Sequence, residues 1–147
     1  MNELHSNIRE LLVAAEKEFG AQDAFRYKVK EDDGSGKKAV KVENKTYTQL
    51  KKDTECFSAA LKELGEQGKH IAVIGTTSYS WVVSYLGIVN SGSVAVPLDA
   101  LLPAEDLCEL LDRADVTTLV YDTSKENVAA MAAERCEQLK HIICMSD

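Results

Sequence analysis

The chain has 147 residues, of which 45% are hydrophobic and 28% charged, close to the balance of a globular protein rather than a disordered one. Its formal net charge of −7 opposes binding to a phosphate backbone, and its basic pairs, Lys37 with Lys38 and Lys51 with Lys52, lack interleaved aromatics, so nucleic-acid binding is not expected. No run approaches the ~18 apolar residues of a spanning helix, and MNELHSNIRELL does not read as a signal peptide. A cytoplasmic protein without a transmembrane segment is the expectation. It agrees with four cysteines, Cys56, Cys108, Cys136 and Cys144, whose spacing matches no zinc knuckle or redox motif and which read as reduced, small hydrophobes.

Length alone implies one domain, with residues 1–50 forming a helix plus a hairpin and 51–147 a helix and a parallel core. Ile8, Leu11, Leu12, Ala15 and Phe19 mark one face of a first helix over about 3–19, with Gly20 as a left-handed stop. Phe25, Tyr27 and Val29 alternate with basic residues, as do Val40 and Val42 with Lys41 and Glu43, giving two half-buried strands. EDDGSGKK between them reads as a mobile hairpin tip rather than a nucleotide loop, because no helix follows it.

Thr48 is placed to cap a second helix whose buried stripe is Leu50, Thr54, Phe57, Leu61 and Leu64, ended by Gly65. Four short apolar runs follow, at Ile71, Val94, Leu119 and Ile142, separated by three helical patterns. The first of these is capped by Ser78 and is apolar on more than one face, which suggests burial between layers. The second follows Pro103, and the third is opened by a Thr123–Glu126 capping box. Runs alternating with helices define an α/β fold: a parallel β-sheet with flanking helices, built from βαβ units. The chain ends directly after the fourth run, so an incomplete domain with an open sheet edge at Ile142 to Met145 is expected.

Ligands of such sheets gather at the carboxyl ends of strands. The segment GTTSYS, Gly75 to Ser80, has too few glycines and no lysine for a phosphate loop, so Ser78 reads as a helix cap. Asp99 and Asp122 follow strand ends and are candidate site residues, although aspartates there commonly cap or turn. His70 and His141 each precede an apolar run and read as residues that start strands. No nucleophile elbow, dinucleotide fingerprint or acidic phosphoacceptor cluster is present.

Three segments in order resemble adenylate-forming ligases of the acyl-CoA synthetase type. KTYTQL is similar to the Thr-Tyr-x-x-Leu element of that family, and LKELGEQGKHIAVIG to its Leu-x-x-x-Gly-x-x-x-Gly-Asp-x-Val-Ala segment, with His70 in place of the Asp. SYSWVVSYLGIVNSGSVAVPLDALLPAEDL carries the strongest likeness, closest in wording to bacterial long-chain fatty-acid–CoA ligases; Ser93 stands where Ala is frequent, and Thr76 and Thr77 replace Glu-Asn. The resemblance implies the N-terminal segment of an enzyme that uses ATP, Mg²⁺ and coenzyme A. It implies that the phosphate loop and catalytic lysine lie in the remainder of the parent ligase, the partner on which activity depends. No catalytic, cofactor-binding or metal residue is assigned within these 147 residues. Gly92, Pro97, Leu98 and Asp99 match family positions and read as structural. A homodimer through the open edge or an apolar face is a further expectation. Two other readings stay open: a stand-alone flavodoxin-like binding module, and the N-terminal part of an amino-acid adenylation domain.

Overall fold

The computed structural model describes residues 5–32, 38–101 and 103–145. They fall into two compact units, Met1–Asp53 and Thr54–Asp147. In the first, helix α1 (Ile8–Phe19) is capped by Asn7, whose side chain accepts from the Glu10 amide. The helix starts at Ile8, the first residue of its apolar pattern, rather than near residue 3, because this cap sets its first turn. Gly20 ends it at φ −15°, not in the left-handed region. A Cβ there would lie 2.8 Å from the Glu16 carbonyl, so the glycine serves a close approach rather than a positive φ.

Strands β1 (Asp23–Asp32) and β2 (Lys38–Thr46) form an antiparallel hairpin. Its expected mobile tip, residues 33–37, lies outside the described residues. The register corrects one expectation. Tyr27 stands opposite Glu43, and Lys28 opposite Val42, so Val42 shares a face with Lys28 rather than with Tyr27. Val40 and Val42 are accordingly exposed, at 59% and 61%, and β2 is not half-buried through its valines.

Helix α2 (Tyr47–Glu63) begins one residue before the expected Thr48 cap. The capping oxygen is instead that of Thr46, which accepts from the Gln49 amide at 3.2 Å. Leu50, Thr54 and Leu61 are buried and Phe57 is partly buried, but Leu64 lies past the helix end and is exposed. Gly65 follows with φ +76°, the left-handed conformation that a helix stop requires.

The second unit is a parallel four-stranded sheet of β3 (His70–Ile74), β4 (Val94–Pro97), β5 (Val116–Tyr121) and β6 (His141–Cys144), in spatial order β4-β3-β5-β6. Helices α3 (Tyr79–Asn90), α4 (Ala104–Arg113) and α5 (Glu126–Arg135) connect them. The chain steps outward from β3 to β4 and then back across β3 to β5. With one crossover hand, that reversal puts α3 on one face of the sheet and α4 with α5 on the other. Strand alternation fills both layers: Ile71, Val73 and Val120 pack with Leu61 and Ile88, while Ala72, Ile74 and Leu119 pack with Leu107, Leu111 and Ala132.

Helix α3 is less enclosed than its composition suggests. Only Ser84, Gly87 and Ile88 are buried, and Trp81 stacks on Tyr85 at 5.5 Å on a half-buried flank. The small inner stripe allows a close approach, since a Cβ on Gly87 would meet the Phe57 ring at 2.7 Å. Gly92 makes the tight turn into β4 at φ +83°, and Pro97 closes that strand.

Thr123 is not the N-cap of α5, which falls at Lys125, with Glu126 the first helical residue. A short 3-10 turn, Thr123–Lys125, precedes α5 and is capped by Asp122. Cys108 and Cys136 are buried, as expected of small hydrophobes, but Cys56 and Cys144 are exposed. Among the described residues, no helix is long and apolar enough to cross a membrane.

Candidate functional site

The order β4-β3-β5-β6 reverses direction between β3 and β5, and the crevice beyond their carboxyl ends is where ligands of open parallel sheets bind. Here it is a cleft of 340 Å³ lined by Thr76, Ser78 and Ser80 after β3, by Asp122, Thr123 and Ser124 after β5, and by Met145. Hydroxyls dominate the lining, with one carboxylate.

That carboxylate spans the crevice. Asp122 Oδ2 accepts from the Thr76 amide at 2.5 Å, and Oδ1 accepts from the Ser124 amide at 3.0 Å and from the Ser124 hydroxyl. Gly75 makes room for it: its φ is +148°, and a Cβ would lie 2.6 Å from Asp122 Oδ2. Partial burial works to raise the Asp122 pKa, but the donors of Ser124 and Thr76 outweigh it and hold the group below the ordinary aspartate value. The aspartate is therefore an anion.

This arrangement decides what the crevice can hold. A phosphate at a helix start needs free amides and a positive field. The Trp81 amide is taken by Ser78 Oγ at 3.1 Å, and the Thr76 amide by Asp122. A phosphate placed at these two amides would meet bonded donors and the negative charge of Asp122. The Lys125 ammonium donates to the Ala100 carbonyl at 2.5 Å instead of serving the cleft. Those two amides are therefore not a free phosphate cradle. Among the described residues, no three His, Cys, Asp or Glu side chains gather to hold a metal ion.

The two aspartates singled out in the sequence have separate fates. Asp122 joins the crevice, whereas Asp99 Oδ1 accepts from the Leu101 amide at 2.8 Å in a local turn. His70 starts β3, and its Nδ1 donates to the Ala114 carbonyl at 2.6 Å. His141 starts β6, with Nε2 3.6 Å from Glu66 Oε1. Glu66 went unnoticed in the sequence. Its buried carboxylate also accepts from the Thr117 hydroxyl, and so ties β5 and β6 together at their amino ends, opposite the crevice. Only its position between Gly65 and Gly68 sets it apart, and that pattern carries no chemistry.

Comparison with known proteins agrees with the resemblance. The model of the AMP-binding enzyme family matches residues 27–147. A 7a-methyl-1,5-dioxo-octahydro-1H-inden-4-yl-propanoyl:CoA ligase of Rhodococcus jostii is 37% identical over 76 residues, 51% of this chain and 15% of that protein. Long-chain-fatty-acid–CoA ligase 5 of Rattus norvegicus is 30% identical over 108 residues, 68% of this chain and 16% of that protein. Among solved structures, an anthranilate CoA ligase in complex with anthranoyl-AMP superposes with a TM-score of 0.78 at 21% identity, covering 97% of this chain and 25% of that one. The fold is thus that of one part of an adenylate-forming ligase. The chain belongs to the AMP-binding enzyme family, and it spans about a sixth of the length of these two curated relatives.

Proposed function

We propose that this chain is the N-terminal scaffold of an AMP-forming acyl-CoA synthetase acting on fatty acids in the cytoplasm. In that reading the whole enzyme joins a carboxylate to ATP, releasing pyrophosphate, and coenzyme A then displaces AMP to give the thioester. The 147 residues by themselves are inactive. The observation that carries the division of labour is the Asp122 carboxylate in the switch-point crevice. It accepts from the Thr76 and Ser124 amides and sets a negative charge beside them, which works against a phosphate there. The parallel sheet then serves as a wall of the enzyme, and nucleotide chemistry belongs to the remainder. Likeness to CoA ligases of two different acyl groups supports the reaction class.

The reading is tested by expressing the complete reading frame that contains these residues and measuring AMP release with fatty acids of short to long chain. ATP-, carboxylate- and coenzyme-A-dependent AMP release supports it. A folded product that releases no AMP with any of these acids refutes it.

A further inference from the structure

Strand β2 has a partner on one side only. Among the described residues the hairpin is a two-stranded sheet, in which β2 pairs with β1 alone. The strand is 9 residues long, and Val40, Lys41, Val42 and Asn44 are exposed along it. A long edge with exposed valines is a template for another strand, and two strands alone are marginal in water. Lysines ordinarily protect such an edge, because a second copy would bring cation against cation. In β2 the order of the charges removes that protection in one register.

Two copies of a strand paired antiparallel about a two-fold axis keep every side chain on its own face, so each residue meets one of the same parity. With the axis at Val42, the centre of Lys38–Thr46, position 38 pairs with 46, 40 with 44 and 41 with 43. The whole strand finds partners, and the two copies of Val42 lie side by side. Lys41 stands opposite Glu43 of the second copy, and Glu43 opposite its Lys41. Within one chain these side chains already share a face: Lys41 Nζ is 3.6 Å from Glu43 Oε1, and Tyr27 Oη donates to Glu43 Oε2 at 3.4 Å. Pairing extends that ion pair into a ring of four alternating charges. Neighbouring registers are penalised, since an axis at Lys41 sets Lys41 against Lys41 and an axis at Glu43 sets Glu43 against Glu43. We propose that the free edge of β2 is an interface for a second copy of this chain, joined antiparallel about Val42 into a four-stranded sheet.

The test uses the full chain carrying Ile142→Lys and Cys144→Asp, which set charges along β6 and suppress association there. Sedimentation velocity across a dilution series should read a dimer. Lys41→Glu alone brings four carboxylates together, and Glu43→Lys alone brings four ammonium groups together. Each should raise the dissociation constant roughly tenfold or more. An equimolar mixture of the two variants should restore the parent affinity as a heterodimer, because an acidic pair then faces a basic pair. Should this background fail to fold, cysteine scanning of the wild-type chain with peptide mapping reads the same contact. Under mild oxidation Val42→Cys should link position 42 to itself. Val40→Cys should not, because its two copies would stand about 14 Å apart along the strands, beyond the reach of a disulfide. A monomer at the highest soluble concentration, single variants that dimerise as tightly as the parent, a mixture no tighter than its components, or a link at position 40 as ready as at 42 would overturn the proposal.

Discussion

Asp122 accepts a hydrogen bond from the Thr76 amide at 2.5 Å, so two loops that are 46 residues apart in sequence are joined across the mouth of the sheet. The contact needs a glycine at position 75, because any Cβ there would strike the same carboxylate.

Removing the carboxylate with Asp122→Ala should cost about 1–2 kcal/mol, since it strips the cap from the 3-10 turn and the partner from Thr76. Gly75→Ala should cost roughly 1–3 kcal/mol through its backbone conformation and the crowded Cβ. Urea denaturation at neutral pH measures both. An Asp122→Ala midpoint equal to wild type would show that the bridge contributes nothing.

The same aspartate predicts an acid dependence. Its pKa is lowered in the folded chain: burial works the other way, but the Ser124 and Thr76 donors prevail. A lowered carboxylate stabilises the fold fully above the unfolded value of about 3.9, and that contribution is lost as pH falls through the folded value. The difference in stability between wild type and Asp122→Ala should therefore be constant from neutral pH down to about pH 5 and shrink below it. A difference that grows on acidification contradicts this.

Nucleotide should not stabilise the chain. A ligand at 100 times its dissociation constant adds about 2.7 kcal/mol, an easily read shift in midpoint. Millimolar Mg-ATP should move the thermal midpoint no further than sulfate at equal ionic strength, because the Thr76 and Trp81 amides are already bonded and Asp122 is negative. A saturable shift with ATP alone would reopen Gly75 to Ser78 as a phosphate site.

Self-association through β6 is expected, and the structure says which side chains to change. Alternation along β6 turns Ile143 inward against the α3 layer with Met145, and leaves Ile142 and Cys144 exposed. Ile142→Lys with Cys144→Asp should reduce association, read by light scattering across a tenfold dilution, with a change in stability of at most about 0.5 kcal/mol. Ile143→Lys should instead destabilise by at least about 2 kcal/mol. A wild-type chain that is monomeric at its highest concentration rejects the association itself.

Much of this fold was legible because its signals are periodic. The four parallel strands, the three helices between them, the Ser78 cap and the Gly92 turn all follow from alternation, 3.6-residue spacing and left-handed glycine positions. What escaped depends on register and on long-range partners. The hairpin faces required knowing that Val42 pairs with Lys28. The Asp115 turn before β5 uses a non-glycine residue at φ 52°, where the sequence offers no glycine to mark it. Asp122 stood out as a residue at a strand end, but its partner Thr76 belongs to another βα unit. Glu66, Thr117 and His141 meet only because β5 and β6 are neighbours in the sheet.

The central claim is that these 147 residues supply scaffold and no nucleotide chemistry. ATP–pyrophosphate exchange by the purified chain, with a panel of carboxylic acids and Mg²⁺, tests it most directly. Because electrostatic clamping of phosphates supplies most of the catalysis of such transfers, exchange should equal the enzyme-free blank with every acid. Exchange above that blank which survives repurification and falls in proportion to removal of the chain would contradict it.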